Sequence, residues 1–95
     1  MAAYVIAYIH ITDPVKYEDY RRHAGPAIEQ YGGKFLVRGG QLETLEGDWR
    51  PGRLVVIEFE SVERAKQWYT SPEYGKAKHL RQNAAMVNMV LVEGV

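Results

Sequence analysis

The stretch from Lys34 to Phe59 constrains this chain more than any other, because it holds two strand-like runs separated by residues that favour turns. The first run, Lys34-Phe35-Leu36-Val37-Arg38, leads into Gly39-Gly40, and the second, Arg53 to Phe59, follows Gly47-Asp48 and Pro51-Gly52. Gly, Asp and Pro each promote turns for their own backbone reason, so the stretch reads as a long antiparallel hairpin. Glycine inside a strand marks a bulge, so Gly39-Gly40 is expected to carry one extra residue and to leave Phe35 and Val37 facing the helices. With Glu46 opposite Arg53 across the turn, this register sets Arg38 and Glu58 diagonally on one sheet face as an ion pair.

The remaining elements follow from spacing. Ala3 to Ile11 alternates strictly, with Tyr4, Ile6, Tyr8 and His10 on one side, and both sides are largely apolar. A sheet covered by helices on one side alone should show a polar second face, so this face is expected to pack on a second copy. Asp13-Pro14 starts a helix, since Asp accepts from free first-turn amides and Pro loses no needed bond there. Tyr17, Tyr20, Ala24, Ala27, Ile28 and Tyr31 form its apolar stripe; Gly25-Pro26 is expected to break or kink it, and Gly32-Gly33 to stop it. Ser61 caps a helix with Val62, Ala65, Trp68 and Tyr69 inward, and Ser71-Pro72 starts another through Arg81 with Tyr74, Ala77 and Leu80 inward. Met86 to Glu93 is the last strand.

The order strand, helix, strand, strand, helix pair, strand predicts an α+β fold, a ferredoxin-like βαββαβ unit with a four-stranded antiparallel sheet over residues 1–95 as one domain. Two such sheets face to face make a dimeric α/β barrel, and the second apolar face predicts that homodimer. At 95 residues there is room for one core. Twelve basic side chains balance twelve acidic ones, so no net field draws nucleic acid or an anionic bilayer, and neither partner is expected. The first eleven residues are too short to span a membrane. There is no cysteine, hence no disulfide or thiolate chemistry, which fits a cytoplasmic setting.

Several segments resemble one known family: Tyr31-Gly32-Gly33, Val37-Arg38-Gly39-Gly40, Leu45-Glu46-Gly47, Arg53 to Phe59, Ala65 with Trp68-Tyr69, and Ser71-Pro72-Glu73-Tyr74 followed by Arg81. In order and spacing they resemble the small bacterial family called domain of unknown function 1330. The resemblance implies the dimeric α/β barrel. Related barrels include cofactor-free monooxygenases, lactone isomerases, and haem-degrading or haem-binding enzymes, and no catalytic residue is carried over from them.

The candidate chemistry rests on individual side chains. Glu58, His23 and Arg38 are the candidate catalytic residues: Glu58, in a strand interior, is a candidate general base, and the alternative for it and Arg38 is a structural ion pair. His23 lies on the first helix near Tyr20 and Pro26, where a cleft could open; His10, His23 and His79 lack the spacing of a metal site, and no metal or cofactor is expected. Tyr20, His23, Trp68, Tyr74 and Arg81 are the candidate ligand-binding set, with Arg81 placed to hold a carboxylate and the rings to bound a planar molecule. Ser71 is read as a helix cap rather than a nucleophile. The function expected is a cofactor-independent enzyme, monooxygenase- or isomerase-like, acting on a small aromatic or carboxylate-bearing molecule. The alternative is a non-catalytic binding or structural homodimer.

Overall fold

A computed structural model describes residues 1–95. The elements run β1 (Ala3–Ile11), α1 (Pro14–Gln30), β2 (Lys34–Arg38), β3 (Arg53–Phe59), α2 (Val62–Tyr69), α3 (Pro72–Arg81) and β4 (Ala85–Glu93). The sheet has four strands in the order β2-β3-β1-β4, every neighbouring pair antiparallel. This is the ferredoxin-like arrangement. No helix is long and apolar enough to cross a membrane.

Alternation along the strands decides what the helices cover. Val5, Ala7 and Ile9 of β1 and Val55, Ile57 and Phe59 of β3 point at the helices and are buried with Tyr17, Tyr20, Ala24 and Ile28 of α1, Trp68 of α2 and Tyr74 of α3. Phe59, Trp68 and Tyr74 are the largest side chains wholly removed from water. Burial of a ring such as Phe59 contributes about 1.5–3 kcal/mol. The opposite face carries Tyr4, Ile6 and Tyr8 of β1, paired with Glu58, Val56 and Leu54 of β3 and with Val92, Val90 and Asn88 of β4. No helix covers it. Trp49 reaches it from the 39–52 segment, its ring edge-on to Tyr8 with centroids 4.7 Å apart.

The caps form as their residues dictate. Asp13 accepts from the Val15 and Lys16 amides at 3.1 and 3.2 Å, and Ser61 Oγ from the Arg64 amide at 3.1 Å. Ser71 is buried, accepts from the Tyr74 amide at 3.1 Å and donates to the Trp68 carbonyl at 2.7 Å, so it ties the end of α2 to the start of α3.

Three expectations need correction. Of the kink or break expected at Gly25-Pro26, the break does not occur: helix α1 is continuous from Pro14 to Gln30. The missing Pro26 amide removes one bond, and the flanking Ala24, Ala27 and Ile28, all buried, hold both halves to the same core. The hairpin is not long: β2 stops at Arg38, residues 39–52 form no strand, and Glu46 does not pair with Arg53. Gly39 turns the chain with φ +71°, and its amide gives a last bond to the Leu54 carbonyl at 2.9 Å. Finally, the bulge falls at Leu36, where the register passes from Phe35↔Ile57 to Val37↔Val56. Because side chains alternate, that extra residue sends Val37 to the open face and Arg38 to the helix face.

Candidate functional site

Between α1 and the sheet lies a small cavity of about 40 Å³, whose walls include Tyr17, Tyr20, Trp68, Tyr74, Phe35 and Met89. The rings form one packed series: Tyr17 and Tyr20 lie 5.2 Å apart between centroids, Trp68 and Tyr74 4.2 Å, and Phe59 and Trp68 5.3 Å. At its rim are Arg21, Arg38 and Arg53, and no carboxylate or imidazole lines it. The Trp68 indole Nε1 and the Arg53 Nε are buried without a hydrogen-bond partner. A buried donor left unpaired costs roughly 1–3 kcal/mol, so both nitrogens lack the compensation that an acceptor would supply.

Trp68 and Met89 also line a second space, an apolar groove of about 370 Å³ between α2 and β4 that includes Val5, Tyr69 and Leu91. The two spaces therefore share a wall. As it stands the inner cavity holds only a few water-sized molecules, whereas small-ligand sites run to about 300–1,000 Å³. Met89 is unbranched and flexible, the more adaptable of the two side chains that line both spaces.

The Tyr20 and Tyr74 hydroxyls are satisfied by one another and by Arg81. The Tyr20 and Tyr74 hydroxyls lie 2.8 Å apart, and Arg81 Nη1 donates to the Tyr74 hydroxyl at 3.1 Å while its guanidinium sits 5.3 Å from the Tyr20 ring centroid. Burial, reinforced by Tyr20, pushes the Tyr74 phenol far above its usual range, so it stays protonated. Burial also raises the Tyr17 phenol, the adjacent Arg53 guanidinium acting against it. For Arg81 burial works to lower the pKa, and the Tyr74 and Tyr20 side chains outweigh it, so the group is held charged.

Of the sequence candidates, the fold brings Tyr20, Trp68 and Tyr74 to the cavity wall and Arg38 to its rim. Arg81 does not line it; its guanidinium is engaged by the Tyr74 hydroxyl instead. His23 is exposed on the outer side of α1 and donates from Nδ1 to the Asp19 carbonyl at 2.9 Å. The expected Arg38–Glu58 pair does not exist. Arg38 is opposite Val55 and lies over the Phe35 ring at 4.3 Å, whereas Glu58 is opposite Tyr4 on the open face and pushes the Tyr4 phenol upward. Glu73 pairs with neither arginine; it accepts from the Tyr31 hydroxyl at 2.9 Å.

Arg53, Tyr17 and Met89 were not among the candidates. For Arg53 the signal was present: it shares parity with Val55, Ile57 and Phe59, a charge in phase with the buried side of β3. No group of three or more His, Asp or Glu side chains converges to hold a metal ion.

A single four-stranded antiparallel sheet with helices on one side and an open apolar face on the other define a ferredoxin-like α+β subunit. The chain belongs to the family described as domain of unknown function DUF1330, whose profile matches residues 2–95. Among solved structures it is similar to a protein of unknown function from Rhodopseudomonas palustris, with 22% identity and TM-score 0.77 over 99% of this chain and 82% of that one. It is similar in fold to SnoaB, a cofactor-independent oxygenase from Streptomyces nogalater, with 9% identity and TM-score 0.65 over 99% and 92% of the two chains. A dimeric ferredoxin-like protein of unknown function from Thermobifida fusca aligns at 15% identity and TM-score 0.60 over 99% and 92%. No curated protein matches the chain in sequence.

Proposed function

We propose that this protein is a homodimer that takes one small, flat organic molecule per protomer into the aromatic cavity and acts on it without a cofactor. The observation that carries the reading is the buried, unpartnered Trp68 indole N–H on the wall of a ring-lined cavity that also has an orphaned arginine nitrogen. Donors fixed in a dry site favour negative charge that develops on a bound molecule. Such a site suits an isomerisation or an oxygenation that passes through an enolate or phenolate. Since no carboxylate or imidazole lines the cavity, the proton must leave to water or to a group on the substrate.

The homodimer is supported by the open face. Ile6, Tyr8, Leu54, Val56, Val90 and Val92 form a contiguous apolar surface on three adjacent strands, more than a lone soluble chain normally leaves uncovered. A second copy of the same face would bury it, leaving both sets of helices and both cavities outside.

The same lack of a base in the lining favours a second reading, in which the molecule is bound and not transformed. One experiment separates them. Planar phenols and β-dicarbonyl compounds are screened for stabilisation of the protein, and those that bind are followed for oxygen uptake and for proton exchange at the acidic carbon. Turnover by a bound compound supports the enzyme, binding with neither signal leaves the binding protein, and a screen with no stabilising compound removes both.

A further inference from the structure

The geometry points to an anion subsite at the rim of the cavity, in which Arg53 and Arg38 hold the carboxylate of a small organic acid while its apolar body lies among the rings toward Met89. This inference rests on the cavity reading above and specifies what enters it.

The two arginines reach the rim for different reasons. Arg53 opens β3 in phase with Val55 and Ile57, so it faces the helices opposite Ile9, beside Tyr17. Arg38 comes to the same side of the sheet through the bulge at Leu36. Neither has an acidic partner. The chain contains two ion pairs, Arg21–Glu18 and Arg22–Asp19, and both lie within α1. Arg21, the third rim cation, is thus already paired, and Glu43, Glu46 and Asp48 of the 39–52 segment pair with no cation.

The Arg53 guanidinium is also placed by packing. It lies against the α-carbon of Gly39, in the space where any side chain on that residue would fall, and its Nε is buried with its proton unused. A planar guanidinium fixed in this way presents a fork that matches a carboxylate and gains little from a neutral amide. The exposed Arg38 at the outer rim adds a second charge that a partner acid on this chain does not cancel.

The test uses the whole chain carrying Trp49→Phe, which leaves Trp68 as the sole indole reporting from the cavity wall. Benzoate and its neutral isostere benzamide are titrated, with thermal stability and Trp68 emission as readouts. Benzoate is expected to bind about tenfold more tightly than benzamide. Arg53→Met is expected to erase that preference and Arg38→Met to reduce it, with Arg22→Met, a surface substitution, leaving it intact. Since Arg38 is exposed, its variant keeps the proposal open to refutation even if Arg53→Met fails to fold. Equal binding of both probes with a Trp68 response overturns the anion subsite and spares the cavity. A benzoate preference that survives both arginine variants also overturns it, and no response to either probe sinks the cavity reading as well.

Discussion

The guanidinium of Arg53 occupies the space that a side chain on Gly39 would fill. The contact joins the end of β2 to the start of β3, and it exists because Gly39 sits at φ +71°, a conformation that costs little only without a Cβ. Gly39→Ala is therefore expected to lose about 1–3 kcal/mol and to weaken benzoate binding by displacing Arg53. Gly47 is the control. It has φ +87° but open space around its α-carbon, so Gly47→Ala should cost about 1 kcal/mol and leave binding alone. Urea denaturation of the two variants checks this, and equal losses would mean that the Arg53 contact contributes nothing.

The Tyr20, Tyr74 and Arg81 cluster should behave as a unit. Tyr74→Phe removes the oxygen that both other groups use, so it is expected to cost about 1–3 kcal/mol, and a Tyr20→Phe, Tyr74→Phe cycle should be clearly non-additive. Additive losses would show that the two hydroxyls do not interact.

The same phenol predicts how stability depends on alkaline pH. Its pKa is raised in the folded chain, so the unfolded chain releases the proton first. The contribution is fully present below the unfolded phenol value, about pH 10, and is lost as pH rises further, at up to about 1.4 kcal/mol per unit. Tyr17 acts in the same direction. Denaturation midpoints measured from neutral to strongly alkaline pH should fall above that point in the native chain and fall less in Tyr74→Phe.

For the open face, light scattering on the native chain should give twice the 10.9 kDa chain mass at micromolar concentration. Val56 lies mid-strand on that face, pointing away from the core, so Val56→Asp should yield a folded monomer by buried-charge cost at the interface of about 3 kcal/mol or more. A native chain that runs as a monomer ends the homodimer.

Ser71→Ala should lose about 1–2 kcal/mol, since the hydroxyl serves the Tyr74 amide and the Trp68 carbonyl at once. Ligand binding and any turnover should survive. A variant that is stable but inactive would instead make Ser71 a participant in chemistry.

Much of the fold was legible because it depends on local patterns. Strict alternation gave β1 and strand-like apolar runs gave β3 and β4, and Asp13-Pro14, Ser61 and Ser71-Pro72 gave the helix starts, since caps and strand patterns act within a few residues. The open apolar face was visible in Tyr4, Ile6 and Tyr8 for the same reason. Of the cavity, Tyr20, Trp68 and Tyr74 were legible as inward aromatic residues.

Arg38 and Glu58 mark where local pattern stops. Five residues of β2 carry no alternation strong enough to locate a bulge, and the glycines beyond them pointed to the wrong place. With Leu36 as the extra residue, Arg38 moves to the helix side and Glu58 stays on the open side, which turns an expected ion pair into two unrelated groups. The amino-acid pattern by itself determined the elements, their order and which faces are apolar. Only the tertiary structure decided the register of β2 on β3, because a one-residue shift changes the face of every side chain after it while leaving the strand pattern nearly as well satisfied. That register brought Arg38 and Arg53 to the rim of one cavity, while Arg81, two turns after Tyr74 on the same side of α3, gave its guanidinium to the Tyr74 hydroxyl and not to the cavity.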